Sequence, residues 1–315
     1  MNRALSYLYH VSFIVGFLLI VFSTGGIYSY EKTVIMVIKS RNIAPYKSAL
    51  MGFKDHLKRQ RLDARTIEFC LEEESGDDFS NIREGFKSIR PDLVLTLGTP
   101  ATRIAQETAK NIPVIFTMVL DPKESNILPP GVLMDIPPEI KLSNIKSVFP
   151  RAKRIGLIYS VNSIPDYEEM LQVSGQFGFQ LIGRKINSRK EFPEALSRLW
   201  RQIDCFLMIP DSKIFFPDSV RYLLTEGLRN KIPIIGLSSS YTEAGALVSF
   251  YCNYEDLGEQ AAEIALKILA GKNSVKTKFV IPRRIDFSLN LFVAGKLEIK
   301  IPSEIIKAAR EVLGR

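Results

Sequence analysis

From Lys32 onward the chain alternates short apolar runs rich in Val and Ile with longer stretches whose apolar positions recur at helical spacing. Side chains of a strand alternate between faces, whereas those of a helix return to one face every three or four residues, so the two patterns separate by period. Runs at 34–38, 65–71, 93–97 and 114–119 predict strands, and the segments 45–59, 79–89 and 100–110 between them predict helices. In the first of these helices Tyr46, Ala49, Leu50, Phe53 and Leu57 share a face. Strands that are apolar throughout, joined by crossover helices, predict a parallel sheet covered on both sides.

The alternation then breaks. Asp121-Pro122, Pro129-Pro130-Gly131 and Pro137-Pro138 interrupt any regular element, and the segment reads as a crossing between two lobes. The theme restarts with strands at 154–159, 180–186, 205–209 and 232–235, interleaved with helices at 167–177, 192–200 and 218–228. A strand at 247–250 leads into a helix at 255–270, with Asn253 as its cap and Gly271 as its stop. Strands at 278–281 and 287–292 and a closing helix at 302–312 complete the chain. The fold class expected is α/β: two doubly wound parallel-sheet lobes joined by a hinge. The first lobe is expected from 31–121 with 251–280, and the second from 122–250 with 281–315.

The first thirty residues differ from the rest. Arg3 precedes an uncharged apolar run from 11 to 23, followed by Thr24, Gly25 and Gly26. That is the order of a secretory signal, with an apolar run shorter than a comfortable membrane span, so export is expected, with the segment either cleaved or kept as an anchor. The 42 Lys and Arg, giving a net charge of +8, are spread along the chain, and the densest cluster, 54–65, includes Asp55 and Asp63. A solvated helix face is the reading, and no nucleic-acid partner is expected. Cys70, Cys205 and Cys252 form no C-x-x-C pair and read as buried thiols. With His10 and His56 as the only histidines, histidine catalysis and metal binding have little to work with, and neither a cofactor nor a catalytic residue is assigned.

Candidate chemistry gathers where strands end, because open α/β sheets bind ligands beyond the carboxyl ends of their strands. In Thr96-Leu97-Gly98-Thr99-Pro100-Ala101-Thr102 a strand runs into a helix start at Pro100. Backbone amides there, with the Thr99 hydroxyl, suit a carboxylate, and a plain capped helix start fits the same residues. No phosphate-binding glycine motif follows any strand. Other polar strand ends contribute Ser40, Asp121, Asn162, Asp211, Ser238 and Ser239 as candidate ligand contacts, and Tyr46 and Tyr159 as candidate walls. Asp121 and Asp211 have no activated nucleophile beside them, and the serine run lacks a nucleophile elbow, so recognition or turn chemistry is expected of them.

Six segments in order, TLGTPATRIAQ, IPVIFTMVLDP, PRAKRIGLIYS, NKIPIIGLSSS, NYEDLGEQAAEIALKILAG and SLNLFVAGKLEIKIPSEIIKAAREV, resemble the ABC transporter substrate-binding proteins of the tryptophan and tyrosine transport type, which have the type I periplasmic binding-protein fold. The resemblance implies a small-molecule ligand, most often an aromatic amino acid, held by Gly98, Thr99, Pro100 and Ala101, by Asp121 and by Asp211. The chain departs from the family at Gly131-Val132-Leu133-Met134, where relatives usually show Gly-Val-Ser-Asp, and at Asp211-Ser212-Lys213, where they show Asp-Asn-Thr. The function expected is an exported, monomeric solute-binding protein that closes over its ligand and delivers it to an ABC permease in the membrane. The alternatives are a periplasmic module of the same build that signals to a membrane sensor kinase and, more remotely, a two-lobed transferase. A sugar-responsive repressor is excluded, since no helix-turn-helix precedes the first strand.

Overall fold

The expected strand-helix alternation is realised in two sheets. In this computed structural model the described residues are 32–73, 79–120, 122, 125–271 and 278–314. The N-terminal segment 1–30 and Asp121 lie outside them.

The first lobe is built from β1 (Thr33–Lys39), α1 (Ala44–Arg59), β2 (Ala64–Cys70), α2 (Ser80–Ile89), β3 (Leu93–Leu97), α3 (Thr99–Thr108), β4 (Val114–Val119) and β5 (Gly131–Leu133). The second continues with α4 (Pro138–Val148), β6 (Arg154–Tyr159), α5 (Ile164–Ser174), β7 (Gln180–Lys185), α6 (Phe192–Leu199), β8 (Cys205–Leu207), α7 (Pro217–Arg229), β9 (Ile234–Gly236), α8 (Ser239–Ala244) and β10 (Val248–Cys252). The chain then returns to the first lobe for α9 (Tyr254–Leu269) and β11 (Phe279–Val280), and ends in the second with β12 (Ile285–Asn290), α10 (Leu291–Lys296), α11 (Ser303–Ala308) and β13 (Glu311–Leu313).

The sheet orders are β11-β5-β4-β3-β1-β2 and β13-β12-β10-β9-β8-β6-β7. From β1 to β11 across the first sheet pairing is parallel, and in the second sheet it is parallel except that β12 runs antiparallel to β10. Strand β3 is buried along its whole length, as a strand covered on both faces must be. From Val34 onward the described residues form one compact unit. Its largest core cluster runs from Ile35 and Phe53 in the first lobe to Leu157 and Leu289 in the second. No helix among the described residues is long and apolar enough to cross a membrane.

Several expectations need correction. The proline-rich stretch read as a bare crossing contains β5, which joins the first sheet, and α4, so the change of sheet comes after Leu133 and not at 121. Pro138 stands at the start of α4, where its missing N–H costs nothing, and Leu142, Ile145 and Val148 bury the helix. The closing helix stops at Ala308, and residues 311–313 pair as β13 beside β12. Strand β12 ends at Asn290, whose side chain accepts from the Val293 amide at 3.0 Å and caps α10 where the strand was expected to continue. The Asn253 cap is present: its side chain accepts from the Asp256 amide at 2.8 Å. Cys70, Cys205 and Cys252 are free and buried.

Candidate functional site

At the end of β3 the chain turns through Gly98, whose φ of +91° suits glycine. A Cβ there would stand 2.2 Å from the Tyr46 hydroxyl and 2.7 Å from Ser40 Oγ, so Ser40, Tyr46 and Gly98 form one packed cluster. Thr99 and Pro100 open α3, and the Ala101 amide donates to Ser40 Oγ at 3.0 Å. The Thr102 amide and hydroxyl both donate to the Gly98 carbonyl, at 3.1 and 2.9 Å. Serine from a neighbouring strand thus caps this helix start, which occupies a donor that the sequence offered to a ligand. Burial raises the Tyr46 phenol pKa, against the pull of Arg41 and a hydrogen bond with Ser40.

In the second lobe Asp211 is 7% exposed and serves as an internal hub. Its Oδ2 accepts from Ser160 N (3.2 Å), Ser160 Oγ (2.6 Å) and Ser163 Oγ (2.5 Å), and its Oδ1 from Lys213 N (2.9 Å). Asn162, exposed, donates its amide to Ser160 Oγ at 3.2 Å within the same turn. Tyr159 stacks on Tyr167, with ring centroids 4.3 Å apart, over Gly183.

Beside the hollow of about 260 Å³ that Ser160, Lys213 and Ile214 line, another space lies beyond the carboxyl ends of β4, β8, β9 and β10 and against the crossing after β5. There a cavity of about 230 Å³ is bounded from both lobes. Leu120 and Met134 wall it from the first-lobe side and the crossing, and Leu207, Met208 and Leu237 from the second lobe. Phe250, Tyr241, Tyr251 and Tyr254 supply aromatic surface, with Tyr251 and Tyr254 stacked at 5.9 Å. Polar groups are few: Asp135, Lys141, Ser238, Cys252 and the phenols. An apolar hollow with a small number of placed polar groups is the usual form of a small-molecule site. Lys141, on α4, is 8% exposed, and its ammonium lies 3.9 Å from Asp135 Oδ1. Cys252 Sγ donates to the Met134 carbonyl at 3.2 Å, and burial pushes its thiol up to about 12. Burial likewise pushes the Tyr254 phenol up to about 12 and Tyr251 higher, with Glu311 and Asp286 adding to the rise in both.

Among the described residues expected to contact ligand, Ser238 alone lines this cavity; Ser239 follows it as the first residue of α8. Ser40, Tyr46, Gly98, Thr99, Pro100 and Ala101 are brought together at the start of α3, and Tyr159, Asn162 and Asp211 near the end of β6, but neither group is part of the cavity wall. Lys141 and Met134, which also line the cavity, fall in the stretch that the sequence marks as a crossing. The one available signal was the departure at Leu133-Met134, where the family's polar residues become apolar.

Comparison with known proteins agrees with this architecture. A tyrosine-binding protein of Clostridioides difficile is 28% identical over 234 residues, 70% of this chain and 66% of that protein. A Rickettsia prowazekii protein of uncharacterised role is 24% identical over 62% of this chain and 61% of its own length. The chain thus matches just under two thirds of the length of these curated relatives. Among solved structures, a ligand-free, open substrate-binding protein with adhesive properties from Clostridium difficile superimposes with a TM-score of 0.75 at 22% identity, over 90% of this chain and 100% of that one. A Streptococcus ABC domain in complex with L-Trp gives 0.64 at 21% identity, again over 90% and 100%. A ribose-transporter periplasmic protein from Conexibacter woesei gives 0.54 at 15%, over 89% and 98%. The family model for ABC transporter substrate binding proteins matches residues 44–313, and the chain belongs to that family.

Proposed function

We propose that this protein is the extracytoplasmic ligand-binding component of an ABC importer, capturing an amino acid with an apolar or aromatic side chain and presenting it to a membrane permease. The observation that carries the reading is the cavity bounded by both lobes, aromatic on one side and with a buried ammonium at its edge. The tyrosine-binding relative and the neighbour solved with L-Trp support an aromatic ligand. Contacts from both lobes favour the closed form when ligand is bound, and the permease then has a shape to recognise. No reaction is assigned. Ser238 belongs to the proposed ligand shell, and the cluster of Ser40, Tyr46 and Gly98–Ala101 to the first-lobe side of the cleft.

The test is a thermal-shift screen of the purified protein against the amino acids. L-tyrosine or L-tryptophan at about 100-fold its Kd should stabilise the native state by about 2.7 kcal/mol, a rise of at least about 5 °C in Tm. Flat melting temperatures across the set would sink the proposal.

A further inference from the structure

Lys141 presents a charge in a place where charge is costly. Its side chain is 10% exposed, and it faces a cavity whose walls include Leu120, Met134, Leu207 and Met208. Among the described residues the carboxylate recorded near its ammonium is that of Asp135, 37% exposed and 3.9 Å away, beyond hydrogen-bond distance. Among the described residues no anion is recorded within hydrogen-bond distance of this ammonium, and apolar surroundings strengthen its attraction to any anion that enters. Tyr251, 6% exposed, adds aromatic surface to the same cavity. Asp211, one of the two carboxylates the sequence offers at strand ends, accepts hydrogen bonds on both oxygens within its own lobe.

We infer that the cavity is a carboxylate-selective subsite in which the Lys141 ammonium binds the acid group of an apolar or aromatic organic acid, so that the carboxylate is the obligatory charge of the ligand. This rests on the proposed amino-acid-binding role and adds to it which end of the ligand is read, and by which residue. Charge-assisted pairs with carboxylates are the stronger hydrogen bonds, and the fit here is one cation in an aromatic and aliphatic box.

Calorimetric titration with three probes separates the possibilities: L-tyrosine, 3-(4-hydroxyphenyl)propanoate, which lacks the amine, and tyramine, which lacks the carboxylate. Both acids should bind, with tyramine at least about 10-fold weaker than L-tyrosine, the equivalent of one charged hydrogen bond. Lys141→Gln and Lys141→Met should each weaken both acids about 10-fold or more and leave tyramine, itself a cation, no weaker, whereas a general loss of structure would weaken all three alike. Tyramine binding as tightly as L-tyrosine, or either variant binding the acids like the parent, overturns the assignment of Lys141 while leaving the amino-acid role intact. Lys141-dependent binding of the propanoate without binding of L-tyrosine overturns the amino-acid role and keeps the subsite. Failure of both acids to bind overturns both.

Discussion

Asp211, a candidate ligand contact by sequence, is already engaged within its own lobe. Its position after a second-lobe strand suggested a ligand contact, yet four hydrogen bonds from Ser160, Ser163 and the Lys213 amide converge on it. Asp211→Ala leaves those buried donors without their acceptor, and should cost about 2–4 kcal/mol of stability, read as a lower urea midpoint. An unchanged midpoint with lost ligand affinity would return Asp211 to the binding shell. Ser40 is a parallel case: its hydroxyl accepts from Ala101 of a helix far along the chain. Neither role was legible, because sequence spacing shows which groups are polar and not which of them meet. The free, buried state of the cysteines was legible, since a thiol among apolar neighbours has no other use without a paired Cys or a metal partner.

At the scale of elements, α1 and α9 approach so closely that they need glycine at two points. A Cβ on Gly258 would lie 1.8 Å from the Ala49 carbonyl oxygen, and one on Gly52 would lie 2.0 Å from the Glu255 carbonyl oxygen. These neighbours are backbone and have no rotamer to give, so the helices must separate. Gly258→Ala should cost about 1–3 kcal/mol through overpacking despite the better helix propensity of alanine, measured by chemical denaturation. A neutral or stabilising result would mean that the helices can shift apart freely. The strands at 93–97, 114–119 and 154–159 were read to the residue, because a fully apolar run bounded by turn residues has few other homes. Helix α4 was lost to the Pro137-Pro138 pair, which marks a helix start as readily as a break. Strand β13 was lost because three residues carry no period of their own and become a strand only beside β12.

For the whole molecule the chain passes between the sheets three times, after β5, after β10 and between β11 and β12. The last passage is tied to α9. Arg283 Nε meets Asp256 Oδ1 at 2.8 Å and its Nη1 meets Glu263 Oε1 at 2.7 Å, while Gln260 Nε2 donates to the Ile281 carbonyl at 2.9 Å. Asp256 is 2% exposed, so Arg283→Met leaves a buried carboxylate without its recorded cation. The expected cost is about 2 kcal/mol, discounted because the arginine is itself partly in water. Equal stability of variant and parent in urea would show that solvent reaches Asp256 and that this passage is held by its backbone bonds.

The order of apolar runs, their lengths and the punctuation by Pro, Gly and Asn determined by themselves that this chain makes two α/β lobes, because burial of a period-2 or period-3.6 face is a local property that each segment carries alone. Six segments in family order determined the resemblance as well. Only the tertiary structure decided which polar groups were already satisfied and where space remained. Asp211 and the start of α3 carry internal hydrogen bonds, and Lys141 meets Tyr241 and Tyr251, distant from it along the chain, at one cavity. Hydrogen-bond satisfaction and enclosed volume are properties of pairs and groups of segments, and these take their values only once the lobes are folded.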